Sequence, residues 1–362
     1  MGRTRIAIVG TGGIAHAHAD GLSGLTERAE LVAAVDVDQG RLDEFAARWG
    51  VENRYTDLAT ALRETAPDLV HLCTPPGAHH EQAITCLQAG VSVLCEKPPT
   101  LSLAELDDIL AAERAGGARF ATVFQHRFGS AALRLRRLVE AGDLGRPLVA
   151  VCHTLWYRPD EYFAVPWRGN WEVEGGGPTM GHGIHQMDLL LSVLGEWTEV
   201  TAVADRKARP TATEDVSCAV VRFENGAVAT VVNSLLSPRE TSYLRFDLEH
   251  ATVEVEHLYG YRDQDWRVTP VPGREAEVRE AWDTGEPDVA SGHRAQFDAL
   301  LTALEGGLPL PVSVVDSRST LELVAAIYAS SFTGVAVRRG EITAGHPFHG
   351  RMSGGAVPWP SP

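Results

Sequence analysis

A chain of 362 residues is longer than one ordinary core supports, and a prior of roughly 150 residues per domain divides it into two. Its hydrophobic share of 44% suits a globular protein, yet no apolar run approaches the roughly 18 residues needed to span a bilayer. The formal charge of −16 argues against nucleic acid or an anionic membrane as partner and leaves room for a cationic small molecule.

The segment Met1-Gly2-Arg3-Thr4-Arg5-Ile6 leads straight into an apolar run, without a signal-peptide pattern, and Ile6 does not fit a lipidation site. A cytoplasmic protein is the expectation. Cys73, Cys86, Cys95, Cys152 and Cys218 are widely spaced and none pairs at metal-ligand spacing, so they read as reduced thiols and no metal site is expected. Only Lys97 and Lys207 among the 32 basic residues are lysines. Where arginine serves almost everywhere, a lysine marks a place that needs a compact ammonium able to give up a proton.

Ile6–Val9 reads as a buried parallel strand and runs into Gly10-Thr11-Gly12-Gly13-Ile14-Ala15, then into a helix reaching about Leu22. This is G-x-G-x-x-A between strand and helix. Gly10 permits the tight turn, Gly12 lets the backbone approach a pyrophosphate, and Ala15 allows close helix–strand packing. The free N–H groups of the helix N-terminus face the phosphates. The next strand, Leu31–Val35, ends in Asp36, where a carboxylate binds the adenosine ribose and repels a 2′-phosphate. Val37 and Asp38 add no cation and Arg41 is the only nearby base, so NAD is expected over NADP.

Alternation continues with helices over 39–49, 57–64, 79–89 and 103–115 and strands over 69–73, 91–95 and 120–124. Repeated strand–helix units mean a doubly wound parallel sheet, a Rossmann domain over 1–124. Ligands collect beyond the carboxyl ends of such strands, where Gly10–Ile14, Thr74-Pro75-Pro76 and Glu96-Lys97-Pro98 converge.

Thr74-Pro75-Pro76-Gly77-Ala78-His79, followed by Gly90-Val91 and Cys95-Glu96-Lys97-Pro98, resembles the glucose–fructose oxidoreductase/inositol dehydrogenase (Gfo/Idh/MocA) family. The similarity resumes at Gly175-Gly176-Gly177, runs through Gly183-Ile184-His185-Gln186-Met187-Asp188, and returns at Tyr328–Ser331 and Thr333-Gly334. The resemblance implies a C-terminal α+β domain over 125–340, with an open, largely antiparallel sheet and a role in oligomerisation, as a dimer or tetramer. It also implies cofactor contacts from Gly10, Thr11, Gly12, Gly13, Ile14, Asp36 and Val37, and from Thr74, Pro75, His79, Glu96, Lys97 and Gln125.

Residues in the second half agree with that fold. Val216–Phe223 and Ala227–Leu235 are β-rich runs joined by Glu224-Asn225-Gly226, a strong hairpin signal. Leu244–Leu248 and Thr252–Val255 alternate as strands, and 293–304 and 317–330 read as helices. Residues 341–362, rich in Gly and Pro, read as a tail.

Oxidising a secondary alcohol needs a base for the hydroxyl proton while hydride departs, and histidine suits this near neutral pH. The resemblance gives that role to His185, with Lys97 hydrogen-bonding the reacting oxygen through an ammonium whose pKa is lowered by partial burial. The family's D-x-x-x-H spacing departs here, because its Asp position is Gly181. Positions 181 and 185 would share a helical face, so the carboxylate partner of the base is missing. His182 and Asp188 each lie three residues from His185 and are candidates to substitute, with Glu172 and Glu174 also near. His126, Arg127, Tyr157, Trp167, Arg168, Trp171 and Glu172, together with Lys97, His182 and His185, are the expected substrate wall.

The expected activity is NAD-dependent oxidation of a ring hydroxyl of a sugar, an aminosugar-containing glycoside such as an aminoglycoside, or a cyclitol. The rivals are NAD-assisted elimination or hydrolysis of a glycoside through a keto-sugar, and a non-catalytic NAD or sugar sensor, which Gly181 favours and Lys97 with His185 disfavours.

Overall fold

The structure, a computed structural model, describes residues 2–165 and 167–360; Met1, Pro166 and the last two residues of the expected tail lie outside it. The chain forms two compact units, the first from residues 1–123 and 293–318, the second from 124–292 and 319–362. Residues 293–318, expected in the second domain, thus belong to the first.

In the first unit the elements alternate as β1 (Thr4–Val9), α1 (Gly13–Ser23), β2 (Ala29–Val35), α2 (Gln39–Trp49), β3 (Arg54–Tyr55), α3 (Leu58–Thr65), β4 (Leu69–Leu72), α4 (His79–Gln88), β5 (Ser92–Cys95), α5 (Leu103–Gly116) and β6 (Phe120–Thr122). The sheet has the order β3-β2-β1-β4-β5-β6 and every pair is parallel. Asp38, Asp57 and Ser102 cap α2, α3 and α5 by accepting from the N–H of Arg41, Thr60 and Glu105. The order reverses between β1 and β4, so the loops after β1, β4 and β5 lie at the ligand-binding edge of the sheet.

The returning segment completes this core. In α11 (His293–Gly306), Phe297, Leu300 and Leu301 are buried with Ile6, Ile8, Leu22, Phe45 and Leu69. Ser313 bridges to Ala121, and the N–H of Thr122 donates to the carbonyl of Val312. Apolar spacing shows that 293–304 is a helix but not which core it joins.

The second unit contains α6 (Ser130–Ala141), β7 (Pro147–Tyr157), α7 (Trp171–Glu174), α8 (Pro178–Gly181), α9 (Ile184–Leu194), β8 (Trp197–Asp205), β9 (Val216–Phe223), β10 (Val228–Ser234), β11 (Leu236–Leu248), β12 (Ala251–Glu256), β13 (Trp266–Pro270), α10 (Glu275–Trp282), the part of α12 (Val314–Thr333) from Ser319 onward, β14 (Val337–Arg338) and α13 (Pro347–Gly350). Its sheet runs β13-β12-β11-β7-β10-β9-β8-β14, with only β7 and β10 parallel. The Asn225-Gly226 turn forms as expected, with Gly226 at φ +89° and the Asn225 side chain accepting from the N–H of Ala227. β11 extends well before the expected start at 244, because Ser237-Pro238-Arg239-Glu240 hides the strand behind polar residues. In the tail, Ile342, Phe348, Met352 and Trp359 are buried, and Trp359 Nε1 donates to the carbonyl of Ala212 at 2.9 Å. Among the described residues no helix is long and apolar enough to cross a membrane.

Candidate active site and cofactor cradle

In the first unit the turn after β1 is built for close approach. Gly10 has φ +84°, and a Cβ there would meet backbone and side-chain atoms of Cys73 and Thr74 at 2.8 Å. A Cβ on Gly12 or Gly13 would meet nothing within 4 Å, so that side of the turn is open. Gly12 precedes α1 without a side-chain cap, which leaves the first N–H groups of the helix to a phosphate. Ile14 and Val37 are exposed beside this edge.

Asp36, only 7% exposed, is held tightly. Its Oδ2 accepts from the N–H and hydroxyl of Thr11 at 2.8 and 2.9 Å, and its Oδ1 from the N–H of Asp38 at 2.9 Å and the Arg41 guanidinium at 3.1 Å. Burial pushes its pKa up, but these donors together outweigh it and leave the carboxyl below its ordinary range. Open glycines and an anionic carboxylate at the end of β2 fit the diphosphate and ribose of NAD.

Two expected cofactor contacts are turned inward instead. His79 is fully buried, with Nε2 2.8 Å from the carbonyl of Thr74 and Nδ1 2.9 Å from that of Pro98. It braces the loop after β4 against the loop after β5. Glu96 is likewise buried, held by His18 and His293, and its Oε2 accepts from the N–H of Lys97. Both follow strands at the right edge, but the pattern cannot say which way a side chain turns. Thr74 donates its hydroxyl to Gln82, Pro75 leads a short 3-10 turn, and Lys97 is half-buried just past β5.

In the second unit, Gln125 opens a 3-10 turn; it is buried and its Oε1 has no hydrogen-bond partner among the described residues. Arg127, expected on the substrate wall, grips Asp188 with two bonds of 2.6 Å, and Asp188 Oδ1 also accepts from Thr320. This pair is a buried clamp on α9. Asp188 thus accepts from a guanidinium and a hydroxyl at the same time.

The shared helical face of positions 181 and 185 is not realised either. α8 ends at Gly181 and α9 starts at Ile184, with His182 and Gly183 between them. A Cβ on Gly183 would lie 1.9 Å from the Asn233 side chain of β10, so glycine lets that strand press into the break. A Cβ on Gly181 would meet nothing within 4 Å.

His185, on the first turn of α9, is buried among rings. The His126 ring stacks on it at 5.0 Å, and Phe124 and Tyr259 meet it edge-on, each at 6.2 Å. Tyr259 continues to Trp156 at 5.5 Å, and Trp156 meets His182 edge-on at 5.0 Å. His182 and His185 thus belong to one aromatic array. Tyr162 also reaches His182, and the Arg168 guanidinium lies 4.2 Å from the Tyr162 ring and 4.1 Å from that of Trp167. Trp171 packs against Tyr328, Tyr157 carries Arg209 over its ring, and Glu172 is exposed.

Trp156 near the end of β7, and Tyr259 and Tyr261 in the loop after β12, are absent from the expected wall; the Tyr261 ring lies 4.8 Å from that of His126, and an aromatic residue in or just beyond a strand is the only local signal for any of the three. Sequence reasoning also missed Glu214. That carboxyl accepts from the N–H groups of Gly177 and Thr179 and from the Tyr328 hydroxyl at 2.8–3.1 Å, pinning the loop that leads to α8. Burial pushes its pKa up to about 7 against these donors.

Two family models match the chain: the oxidoreductase family with an NAD-binding Rossmann fold over residues 4–124, and the GFO/IDH/MocA C-terminal domain over residues 132–254. The D-glucoside 3-dehydrogenase of Escherichia coli K12 is 28% identical over 361 residues, covering 92% of this chain and 97% of that protein. The myo-inositol 2-dehydrogenase of Thermotoga maritima is 29% identical over 237 residues, 64% of this chain and 68% of that one. Among solved structures, the WlbA dehydrogenase of Bordetella pertussis in complex with NADH and UDP-GlcNAcA matches with a TM-score of 0.80 at 27% identity, covering 93% of this chain and 99% of that one.

Proposed function

The chain belongs to the GFO/IDH/MocA family of NAD-dependent oxidoreductases, which includes sugar and cyclitol dehydrogenases, and from that premise we propose that it oxidises one ring hydroxyl of a sugar, cyclitol or aminosugar-containing glycoside to a ketone. The observation that carries the reading is His185, a buried imidazole on α9 set among the rings of Phe124, His126 and Tyr259. Of these rings Tyr259 is 45% exposed and suits the C–H surface of a sugar ring, while buried Phe124 and His126 keep water from the base. NAD supplies the hydride acceptor when bound. His185 takes the hydroxyl proton, and Lys97 donates a hydrogen bond to the oxygen as it becomes a carbonyl.

The substrate is neutral or cationic. Arg158, whose guanidinium lies 5.0 Å from the Trp156 ring, pairs with Glu240 at 2.9 Å, and Arg168 pairs with Glu174 at 3.2 Å, so these two arginines bring no net positive charge beside the aromatic array. Glu172 is exposed and the chain carries a net charge of −16, which favours an aminosugar over a sugar acid.

NADH absorbance with a panel of sugars, cyclitols and aminoglycosides tests this. Net NADH formation is expected; product without net NADH would indicate elimination or hydrolysis through a keto-sugar, and tight NADH binding without turnover a sensor. On the active substrate, Lys97→Met should abolish turnover with NADH binding retained, and His185→Ala should lower kcat by at least ~10². Retention of most activity by Lys97→Arg would overturn the role given to Lys97, because a planar guanidinium does not replace a compact ammonium.

A further inference from the structure

We propose that His293 is a positioning residue for the reaction: together with His18 it clamps the Glu96 carboxylate and so holds the peptide that carries Lys97. The inference rests on Lys97 acting in turnover, and it concerns groups that lie wholly within the first unit.

Glu96 ties several segments together at the end of β5. Its N–H donates to the carbonyl of Leu72, which joins it to β4. Its Oε1 lies 2.9 Å from Nε2 of His18 on α1 and 3.2 Å from Nε2 of His293 at the start of α11, and its Oε2 accepts from the N–H of Lys97 at 3.2 Å. One carboxylate oxygen is thus anchored by two imidazoles while the other holds the next peptide. A buried carboxylate keeps its charge only with such donors. Burial alone pushes Glu96 upward, and the two histidines bring it well below the ordinary carboxylate range.

Protons can be assigned consistently around this cluster. His18 Nδ1 lies 3.0 Å from Nδ1 of His71 on β4. A neutral His18 that donates from Nε2 to Glu96 must accept at Nδ1, so His71 carries its proton on Nδ1. His71 Nε2 is then the acceptor, and it is the buried ring nitrogen that has no partner among the described residues.

Packing fixes where His293 sits. Phe297, one turn later on the same face of α11, lies 5.1 Å from the His18 ring and 4.8 Å from that of His71. A Cβ on Gly21 of α1 would stand 3.0 Å from the Phe297 ring, so that glycine admits α11 at this depth. Without the His293 donor, Glu96 Oε1 keeps only His18, and the carboxylate is free to rotate away from the Lys97 peptide. Displacing a reacting group by about 1 Å can cost 10²-fold in rate, so a small shift is enough.

Having only two lysines makes the test direct, since the exposed Lys207 serves as an internal reference. The full chain and its His293→Leu and His293→Gln variants are labelled with limiting acetic anhydride, and the Lys97-to-Lys207 labelling ratio is read by mass spectrometry. Leucine keeps the apolar packing but cannot donate; glutamine can. The ratio should change by about threefold or more in His293→Leu and return in His293→Gln, with NADH affinity held within error in both and the melting temperature lowered only in His293→Leu, where a buried carboxylate has lost a donor. Turnover of the active substrate should fall ~10- to 100-fold in His293→Leu through kcat rather than KM, and recover in the glutamine variant. An unchanged ratio in His293→Leu overturns the proposal. So does stoichiometric Zn²⁺ binding by the wild type that His293→Leu abolishes, because His18, Glu96 and His293 place their ligand atoms within 4.8 Å of one another and would then be a metal site. If Lys97→Met stays active, the functional reading fails instead, whatever the labelling shows.

Discussion

Replacing Asp36 by alanine should reveal how the cofactor is chosen. All four hydrogen bonds on its carboxylate come from the protein, and only Arg41, 56% exposed, can swing away to admit a ribose hydroxyl. The wild type should prefer NAD in kcat/KM, since the Asp36 charge repels a 2′-phosphate. In Asp36→Ala that repulsion disappears and Arg41 is released to face the phosphate, so the gap to NADP should narrow from both sides. A wild type that prefers NADP would remove Asp36 from the role. The same residue also shows why an observed ion pair is not by itself a stability argument: an exposed arginine partner contributes about 0–1 kcal/mol, while the two buried bonds from Thr11 shape the turn.

At the scale of elements, the break between α8 and α9 is the feature with most consequence for catalysis. The loop before α8 is tightly packed: a Cβ on Gly177 would fall 2.0 Å from the carbonyl of Glu214, and one on Gly176 2.2 Å from the Tyr328 hydroxyl. Gly181, by contrast, faces open space, so Gly181→Asp should fold with a melting temperature near that of the wild type. Its effect on kcat and on the lower limb of the kcat/KM pH profile then reports whether a carboxylate at 181 reaches His185; an unchanged profile would mean that the break keeps them apart. Glu214 predicts a pH effect on stability. Its folded pKa, about 7, lies above the ordinary 4.5, so the folded state binds the proton more tightly. The stability linked to that proton is fully present below about pH 4.5 and is lost as pH rises through about 7. Relative to Glu214→Gln, which does not titrate, the wild type should be stabilised most at the acid end, with the difference shrinking by up to about 3 kcal/mol toward pH 8. Melting temperatures of the two proteins across this range measure it; a difference that grows with pH would contradict the assignment.

For the molecule as a whole, the prediction is assembly. Register places Val149, Thr230, Val220, Cys218 and Val203 on one face of the second unit's sheet, and Val149, Val220 and Val203 are 49%, 44% and 68% exposed. The same face carries the ion pair of Arg222 and Glu199, and exposed valines beside such a pair make a mixed surface of the kind that other protein covers. We propose that a second copy of the chain does so. Light scattering should give the mass of a dimer or tetramer, and Val203→Glu with Val220→Glu should lower it while NADH binding persists. A monomeric wild type at micromolar concentration would refute the assignment.

What the amino-acid order determined by itself is what short-range physics writes into neighbouring residues. The apolar run of β1, the glycines after it and Asp36 after β2 spell out a dinucleotide site because strand period, backbone freedom and charge are local properties. Helix α2 runs over the 39–49 expected, since its cap and apolar spacing lie inside the segment. Tertiary structure alone decided the rest. Glu96 and His79 follow strands at the ligand edge, yet each turns inward, because the partner of Glu96 comes from 197 residues away and that of His79 from the next strand's loop. Gly181 and His185 carry helical spacing, but the Asn233 side chain occupies the space beside Gly183 and the helix breaks there. Residues 293–306 have the pattern of a helix, and only the surface formed by His18 of α1 and His71 of β4 selects where their Phe297 goes. Periodicity states that a face is apolar; which surface it meets depends on the volume and hydrogen-bonding needs of residues far along the chain.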